Sequence, residues 1–377
     1  MKLLLVVNYY YPYISGLSEV VRLLAEGLAS KGNQVTVLCS NHDHLTSEER
    51  INGVHVIRTP VLLKISKGTV SPSFIPKAIE LAKSHDIVNL HVPMLESGII
   101  SSCIDKRKLI VTYHCDIDLE KGIINDFIKK TMLAMNHIAL KKATKIMVTT
   151  KDYAMHSVLA RDFPDKLIET HTPIKEYYPV NVSKPEGIYT IGFCGRIVME
   201  KGIDILLQAY KILRSKRQDI RLWIGGDYKN VAGGSIYPKL KSYIEREKLD
   251  NITFLGKIPE EKMAMFYSSL DVFCLPSVNP LEAFGMVQIE AMYCGTPVTA
   301  SNLYGVRTII QNTKMGIVHK AGDPEDLAAC INTILDKKSD YIQPRKKIHS
   351  LYGTQNFLST YINCCKEMKD ANEKQNI

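Results

Sequence analysis

Short, uninterrupted apolar runs alternate along this chain with longer stretches in which apolar residues recur every three or four positions. Leu3 to Val7, Gln34 to Cys39, Val54 to Thr59, Ile87 to His91, Leu109 to Tyr113 and Ile146 to Thr149 are of the first kind and predict buried parallel strands. Gly16 to Ser30 is of the second kind and predicts a helix, stopped by the turn Lys31-Gly32-Asn33. Between Lys175 and Gly187 the periodicity stops, with Pro179 and Pro185 in a segment that reads as an interdomain linker. A second series follows, with strands at Ile188 to Cys194, Leu222 to Ile224, Ile252 to Leu255, Val272 to Leu275 and Val298 to Thr299, and a helix from Ile203 to Ser215. Thr354 to Glu373 closes the chain as a helix, with apolar Phe357, Leu358, Tyr361, Ile362, Cys365 and Met368. The alternation predicts an α/β fold with two parallel-sheet domains, 1–178 and 187–353, followed by the terminal helix of 354–377.

Bulk properties narrow the class. A length of 377 residues with 45% hydrophobic content suffices for two domains, each with its own core. No apolar run reaches the ~20 residues that span a bilayer, and Met1 to Val7 is too short for a secretory signal, so it reads as a first strand. The nine cysteines contain no C-x-x-C pair, and Cys39, Cys194, Cys274 and Cys294 sit in apolar surroundings as reduced core thiols do, which predicts a cytoplasmic protein. The net charge of +9 invites an anionic partner: a phosphorylated substrate, an acidic membrane surface or nucleic acid. No helix-turn-helix, zinc-finger or RNP pattern accompanies the charge, so no nucleic-acid partner is expected.

The chemistry concentrates where strands end. The run Asp271 to Pro276 reads as a strand, and Pro276 to Met292 as a loop leading into a helix ended by Gly295 and Pro297. Were Glu282 and Glu290 both helical, they would point roughly 80° apart and sit about 12 Å from each other. The simpler reading places Glu282 in the loop and Glu290 in the helix, with Gly285-Met286 at a helix N-terminus that faces a phosphate. One carboxylate then holds a sugar and the other a ribose, although an isolated Glu on a loop or helix is more often a solvated surface group. Glu290 falls among Val287, Ile289, Ala291 and Met292, where an idle carboxylate is costly. After the first strand of the second series, Arg196 offers a bidentate grip on phosphate oxygens and Lys201 a point charge. The glycine turns Gly225-Gly226-Asp227 and Leu255-Gly256-Lys257 carry little information.

These residues carry a family resemblance. Glu282 through Glu290, with Phe284-Gly285 between them, resembles the E-x7-E signature of retaining GT-B fold glycosyltransferases of family four, the glycosyl transferases group 1. Gly195 to Gly202 is similar to that family's G-R-x-x-x-E-K-G element, and Thr112-Tyr113-His114 to its T-x-H element. The resemblance extends over essentially the whole chain, with departures at Ala283 and at Ser15-Gly16, where the family often has Gly and a Gly-Gly pair. It implies two Rossmann-like domains facing across a cleft, and a terminal helix that crosses back to the first domain. It implies a nucleotide diphosphate sugar, UDP- or GDP-linked, as donor; Arg196, Lys201 and the helix N-terminus near Gly285-Met286 answer the charge of its diphosphate, so no metal is expected. By the same resemblance His114 and Glu282 act on the sugar, Glu290 holds the ribose, and Gly16, Arg196, Lys201, Gly285 and Met286 complete the donor site.

Rival readings are a sugar-nucleotide epimerase of the same architecture, a non-catalytic nucleotide-sugar-binding protein, and a dinucleotide-dependent dehydrogenase; neither half has the G-x-G-x-x-G that the last requires. Asp116-Ile117-Asp118 is a D-x-D, a metal-binding signature of a different glycosyltransferase fold. The first domain also carries Lys64, Lys67, Lys77, Lys83, Lys106-Arg107-Lys108, Lys129-Lys130, Lys141-Lys142 and Lys145, together with apolar positions Ile124, Phe127, Ile128, Met132 and Met135 at helical spacing. That helix reads either as a core helix or as part of a basic surface that docks on an anionic bilayer. The second alternative predicts a peripheral enzyme of the inner membrane face with a lipid-linked or saccharide acceptor, acting in cell-surface polysaccharide synthesis.

Overall fold

The apolar runs of the first half become parallel strands. The computed structural model describes residues 1–377 except 14, 66–67, 120–121, 230, 232–233 and 376–377, so Lys67 and the final Asn376-Ile377 lie outside the described residues. The chain forms two units, Met1–Pro173 with Thr354–Ile377, and Ile174–Gly353.

The first unit contains strands β1 (Lys2–Val6), β2 (Gln34–Asn41), β3 (Glu48–Ile51), β4 (Val54–Pro60), β5 (Leu63–Ile65), β6 (Gly68–Val70), β7 (Ile87–Val92), β8 (Leu109–Tyr113), β9 (Lys145–Val148) and β10 (Leu167–Glu169). Its helices are α1 (Gly16–Ser30), α2 (Phe74–Lys83), α3 (Ser97–Cys103), α4 (Ile123–Lys142) and α5 (Lys151–His156). Eight strands make one sheet in the order β10-β9-β8-β7-β1-β2-β4-β3, parallel except for β3 on β4, and β5–β6 is a separate hairpin. The order reverses direction between β1 and β7, the point at which open α/β sheets take ligands at the carboxyl ends of their strands. Helix α1 begins where it does because Ser15 caps it: the Ser18 amide donates to Ser15 Oγ at 3.1 Å and the Ser15 amide to Ser18 Oγ at 2.8 Å.

The second unit has strands β11 (Tyr189–Cys194), β12 (Ile220–Gly225), β13 (Ile252–Gly256), β14 (Val272–Leu275), β15 (Val298–Ser301) and β16 (Gly316–His319). Its helices are α6 (Ile203–Arg214), α7 (Tyr237–Arg246), α8 (Met263–Ser269), α9 (Met286–Tyr293), α10 (Val306–Thr313), α11 (Pro324–Asp336) and α12 (Arg345–Tyr352). All six strands are parallel in the order β13-β12-β11-β14-β15-β16, the order of the doubly wound nucleotide-binding sheet. Two buried clusters cover its faces. One joins Leu206, Leu207, Leu240 and Ile331 of α6, α7 and α11; the other joins Phe266, Ile289, Ile309 and Ile348 of α8, α9, α10 and α12.

The segment read as a linker is strapped along this second unit. Lys175 Nζ lies 2.8 Å from Glu260 Oε2, the Val180 amide donates to Ser268 Oγ at 3.0 Å, and Lys184 Nζ pairs with Asp271 at 3.0 Å. Helix α13 (Thr354–Gln375) then returns to the first unit, where Phe357, Leu358, Tyr361, Cys364, Cys365 and Met368 join the core around β1 and α1. The Tyr361 hydroxyl also accepts a hydrogen bond from Asn89 Nδ2 on β7 at 2.8 Å. Among the described residues no disulfide joins the cysteines. Among the described residues no helix is long and apolar enough to cross a membrane.

Candidate functional site

Within the second unit, the strand order changes direction between the neighbours β11 and β14, and the loops that leave their carboxyl ends carry Arg196, Lys201 and Glu282. Backbone contacts lock these loops together. The Val278 amide donates to the Glu200 carbonyl at 3.0 Å. Gly202 sits at φ +64°, and a Cβ there would lie 2.0 Å from the Pro276 carbonyl oxygen, so only glycine permits the approach. This docking carries Lys201 Nζ to Glu282 Oε2, which also accepts a hydrogen bond from Ser277 Oγ at 3.1 Å. Burial pushes the Glu282 carboxyl up, but the Lys201 ammonium and the hydrogen bonds from Lys201 and Ser277 outweigh it and hold the group below the usual carboxylate range. Arg196 pairs with Glu200 at the half-exposed rim of the same loop.

The structure puts Glu282 in the loop and Glu290 inside α9. Gly285 is the residue before the helix, at φ +81°, and a Cβ there would lie 2.4 Å from Leu275 Cδ2. Met286 is therefore the first helical residue; the Gln288 amide already donates to the Gly285 carbonyl at 3.0 Å, so the first-turn amides that can face a ligand are those of Met286 and Val287. The Glu290 carboxylate accepts a hydrogen bond from the buried Tyr267 hydroxyl at 2.7 Å, which relieves the cost of a charge in this apolar helix. Burial, reinforced by Glu290, pushes the Tyr267 phenol far up, so it remains a donor.

In the first unit, β8 delivers His114. Its amide donates to the Val92 carbonyl at 3.1 Å, and its Nε2 lies 2.9 Å from Nδ1 of His91 at the end of β7. Thr112, one turn of the pleat earlier, exchanges hydrogen bonds with Asn89 at 2.9 and 3.0 Å. His91, Thr112, His114 and Tyr361 line a small cavity. Gly16 is the first residue of α1, and a Cβ there would meet nothing within 4 Å, so neither packing nor conformation of the free protein requires glycine. The Ser15 hydroxyl, by contrast, is committed to the helix cap.

The D-x-D is otherwise engaged. Asp116 accepts from the Tyr113 hydroxyl and from the Val158 amide, and Asp118 faces Lys129 at 3.4 Å. Among the described residues no group of three or more His, Cys, Asp and Glu is arranged to hold a metal ion.

Helix α4 divides into two halves. Asn136, Ala139 and Leu140 are buried, and Asn136 Oδ1 accepts from the Met94 amide and from Ser97 Oγ, fixing the carboxyl half against α3. The first turns are exposed, Ile123 by 91%, Ile124 by 72% and Phe127 by 71%, while Ile128 and Met132 are half-buried. Leu62 of the segment before β5, Leu95 and Ile99 are also exposed. Each belongs to a connection leaving the carboxyl end of a sheet strand, so topology puts the exposed apolar residues on that rim of the first unit. Part of the basic charge is already engaged: Lys77 pairs with Glu80, Arg107 with Asp105, and Lys64 donates to the His42 carbonyl.

The residues singled out in the sequence thus fall into two groups, Gly16 with His114 in the first unit and Arg196, Lys201, Glu282, Gly285, Met286 and Glu290 in the second. The second group converges on one sheet edge. Sequence reasoning passed over His91, Ser277 and Tyr267. His91 stands two residues after Asn89 on one strand and was visible as a polar interruption; Ser277 and Tyr267 carry no local signal.

Residues 175–350 match the family described as Glycosyl transferases group 1, and residues 14–174 match Glycosyltransferase Family 4. An uncharacterized glycosyltransferase of Methanocaldococcus jannaschii is 26% identical, covering 97% of this chain and 98% of its own length. The O-antigen chain mannosyltransferase C of Escherichia coli is 22% identical over 96% of this chain and 97% of its own. Among solved structures, Anabaena HepE in complex with UDP and glucose superposes with a TM-score of 0.73 at 16% identity, covering 97% of this chain and 100% of HepE. The last likeness is one of fold, two parallel-sheet Rossmann-like domains of the GT-B kind.

Proposed function

The chain belongs to the glycosyl transferases group 1, with an amino-terminal half of Glycosyltransferase Family 4, and from this premise we propose that it transfers a hexose, with retention of configuration, from a nucleoside diphosphate sugar to a hydroxyl of a lipid-linked saccharide. The observation that carries this reading is the contact of Lys201 with Glu282 at the point where the second sheet changes direction. A cation and a carboxylate set side by side at a nucleotide-binding edge suit a donor whose diphosphate is anionic and whose sugar is a cluster of hydroxyls.

On this reading Lys201, Arg196 and the amides at the start of α9 stabilise the charge that builds on the departing diphosphate. Glu282 accepts hydrogen bonds from sugar hydroxyls, Glu290 from the ribose, and His114 contacts the sugar. The bond from the anomeric carbon to the phosphate oxygen breaks, a bond to the acceptor oxygen forms on the same face, and the acceptor proton passes to the leaving phosphate. The cations take the place of a divalent ion; activity abolished by EDTA and restored by manganese contradicts that part. UDP is favoured by the ligand of HepE, and GDP remains the second candidate for a mannosyl donor of the kind the Escherichia coli relative is named for.

The acceptor is proposed to be met at a membrane. The exposed amino end of α4, which also carries the exposed Lys130, fits an anionic leaflet, each cation near the surface adding about 1 kcal/mol. Incubation with UDP-, GDP- and ADP-hexoses, without acceptor, tests the donor: release of nucleoside diphosphate with one of the first two supports the reading. Conversion of a sugar nucleotide to its epimer favours the rival enzyme, and binding without turnover favours the non-catalytic protein. The anomeric configuration of transferred product, read by proton NMR, decides retention.

A further inference from the structure

The buried His91 has no place in the chemistry above, yet its ring lies within hydrogen-bond distance of His114. Strands β7 and β8 pair in parallel with His91 opposite Thr112 and Val92 opposite Tyr113, so His114 leaves β8 just beyond His91. The two rings meet edge to edge, with centroids 5.2 Å apart and planes at 24°, and Nδ1 of His91 lies 2.9 Å from Nε2 of His114. At that distance one nitrogen donates and the other accepts. Burial pushes both imidazoles down, so the pair is uncharged at neutral pH, each ring carries one proton, and one of the two lies between the facing nitrogens.

Two arrangements are open to such a pair. In one, His114 donates from Nε2, and His91 must carry its own proton on Nε2. In the other, His91 donates from Nδ1 and keeps Nε2 bare. His91 Nε2 is buried and finds no hydrogen-bond partner among the described residues. An orphaned buried N–H is rarer and costlier than an orphaned acceptor, which selects the second arrangement.

We propose that His91 is a positioning residue that fixes the proton of His114 on Nδ1, so that His114 meets its ligand as a hydrogen-bond donor and not as a base. The functional half of the statement rests on the proposed contact of His114 with the sugar; the tautomer itself does not.

The test is nitrogen-15 NMR of the full-length protein labelled in histidine, with His114→Asn used to assign the signals. The wild-type protein should show His114 protonated at Nδ1 and bare at Nε2. His91→Leu should release His114 into a mixture of tautomers, and His91→Asn, whose amide nitrogen stands near the position of Nδ1, should restore the single form. In transfer assays His91→Leu should lower kcat about tenfold with the donor KM unchanged, and His91→Asn should recover most of it. A wild-type His114 carrying its proton on Nε2, or a His114 tautomer unaltered in His91→Leu, overturns the proposal. Absence of any transfer by the wild type refutes the proposed function and leaves the tautomer assignment standing.

Discussion

Lys201 Nζ contacts Glu282 Oε2 across 81 residues of sequence, and in the free protein each is the other's charge partner. Their side chains retain only 20% and 15% exposure, so removing one leaves the other partly desolvated and unpaired. Lys201→Met should therefore destabilise the protein by on the order of 1–2 kcal/mol, and adding Glu282→Gln should return part of that loss. Thermal midpoints of the two single variants and the double variant measure the coupling. Additive losses would show that the pair does not interact.

The Tyr267 hydroxyl and the Glu290 carboxylate make a second testable pair. Tyr267→Phe deletes the donor while keeping the ring that packs in the core, so Glu290 loses its orientation. Nucleoside diphosphate affinity should fall roughly fivefold to tenfold, the equivalent of one hydrogen bond. Glu290→Ala should weaken binding further while lowering kcat less than Glu282 variants do. Titration calorimetry reads both, and unchanged affinity in both variants would remove Glu290 from the nucleotide site.

His319 gives the second unit an acid-sensitive point. It is buried on β16, with Thr299 Oγ1 at 2.9 Å from Nδ1 and Ser301 Oγ at 3.1 Å from Nε2, and burial pushes it down to about 4. The unfolded chain takes up a proton near pH ~6.5 that the folded protein refuses. The stability held by neutral His319 is thus complete above that pH and is lost as pH falls toward 4, up to about 3 kcal/mol. His319→Gln should lose less thermal stability than the wild type between pH 7 and pH 5. Equal losses would place the acid sensitivity elsewhere.

Much of this architecture was legible because buried parallel strands are continuous apolar runs, and Val272–Leu275 and Leu109–Tyr113 were read to their end residues. The strands that escaped are short or polar. Glu48–Ile51 is an antiparallel edge with charges in three of its four residues, Leu63–Ile65 and Gly68–Val70 form a small hairpin, and Leu167–Glu169 and Gly316–His319 lie at sheet edges. The candidate site shows the same division. Glu282, Glu290, Arg196 and Lys201 stand in recognisable local patterns. Ser277, Tyr267 and His91 act through neighbours brought close only by sheet pairing and loop docking. The helix Ile123–Lys142 defeated a single description because its carboxyl half packs on α3 while its first turns expose Ile123, Ile124 and Phe127.

The exposed first turns of α4 yield a prediction of their own. Ile124→Asp with Phe127→Asp should abolish cosedimentation with vesicles containing anionic lipid, since two apolar contacts become charges facing a surface of the same sign. Hydrolysis of the donor in the absence of acceptor should be unaffected. Wild-type binding should weaken as salt rises; failure to bind at low salt, or binding indifferent to salt and lipid charge, contradicts the docking mode.

The central claim is that the edge between β11 and β14 holds a nucleoside diphosphate sugar, with Glu282 acting on the sugar and Lys201 on the diphosphate. The most direct test is to compare donor turnover with nucleoside diphosphate affinity in the wild type, Glu282→Gln and Lys201→Ala. The account predicts that both variants lose on the order of 100-fold in turnover, and that Glu282→Gln still binds the nucleoside diphosphate within a few-fold of the wild type. Turnover of the Glu282→Gln protein at the native rate would contradict it.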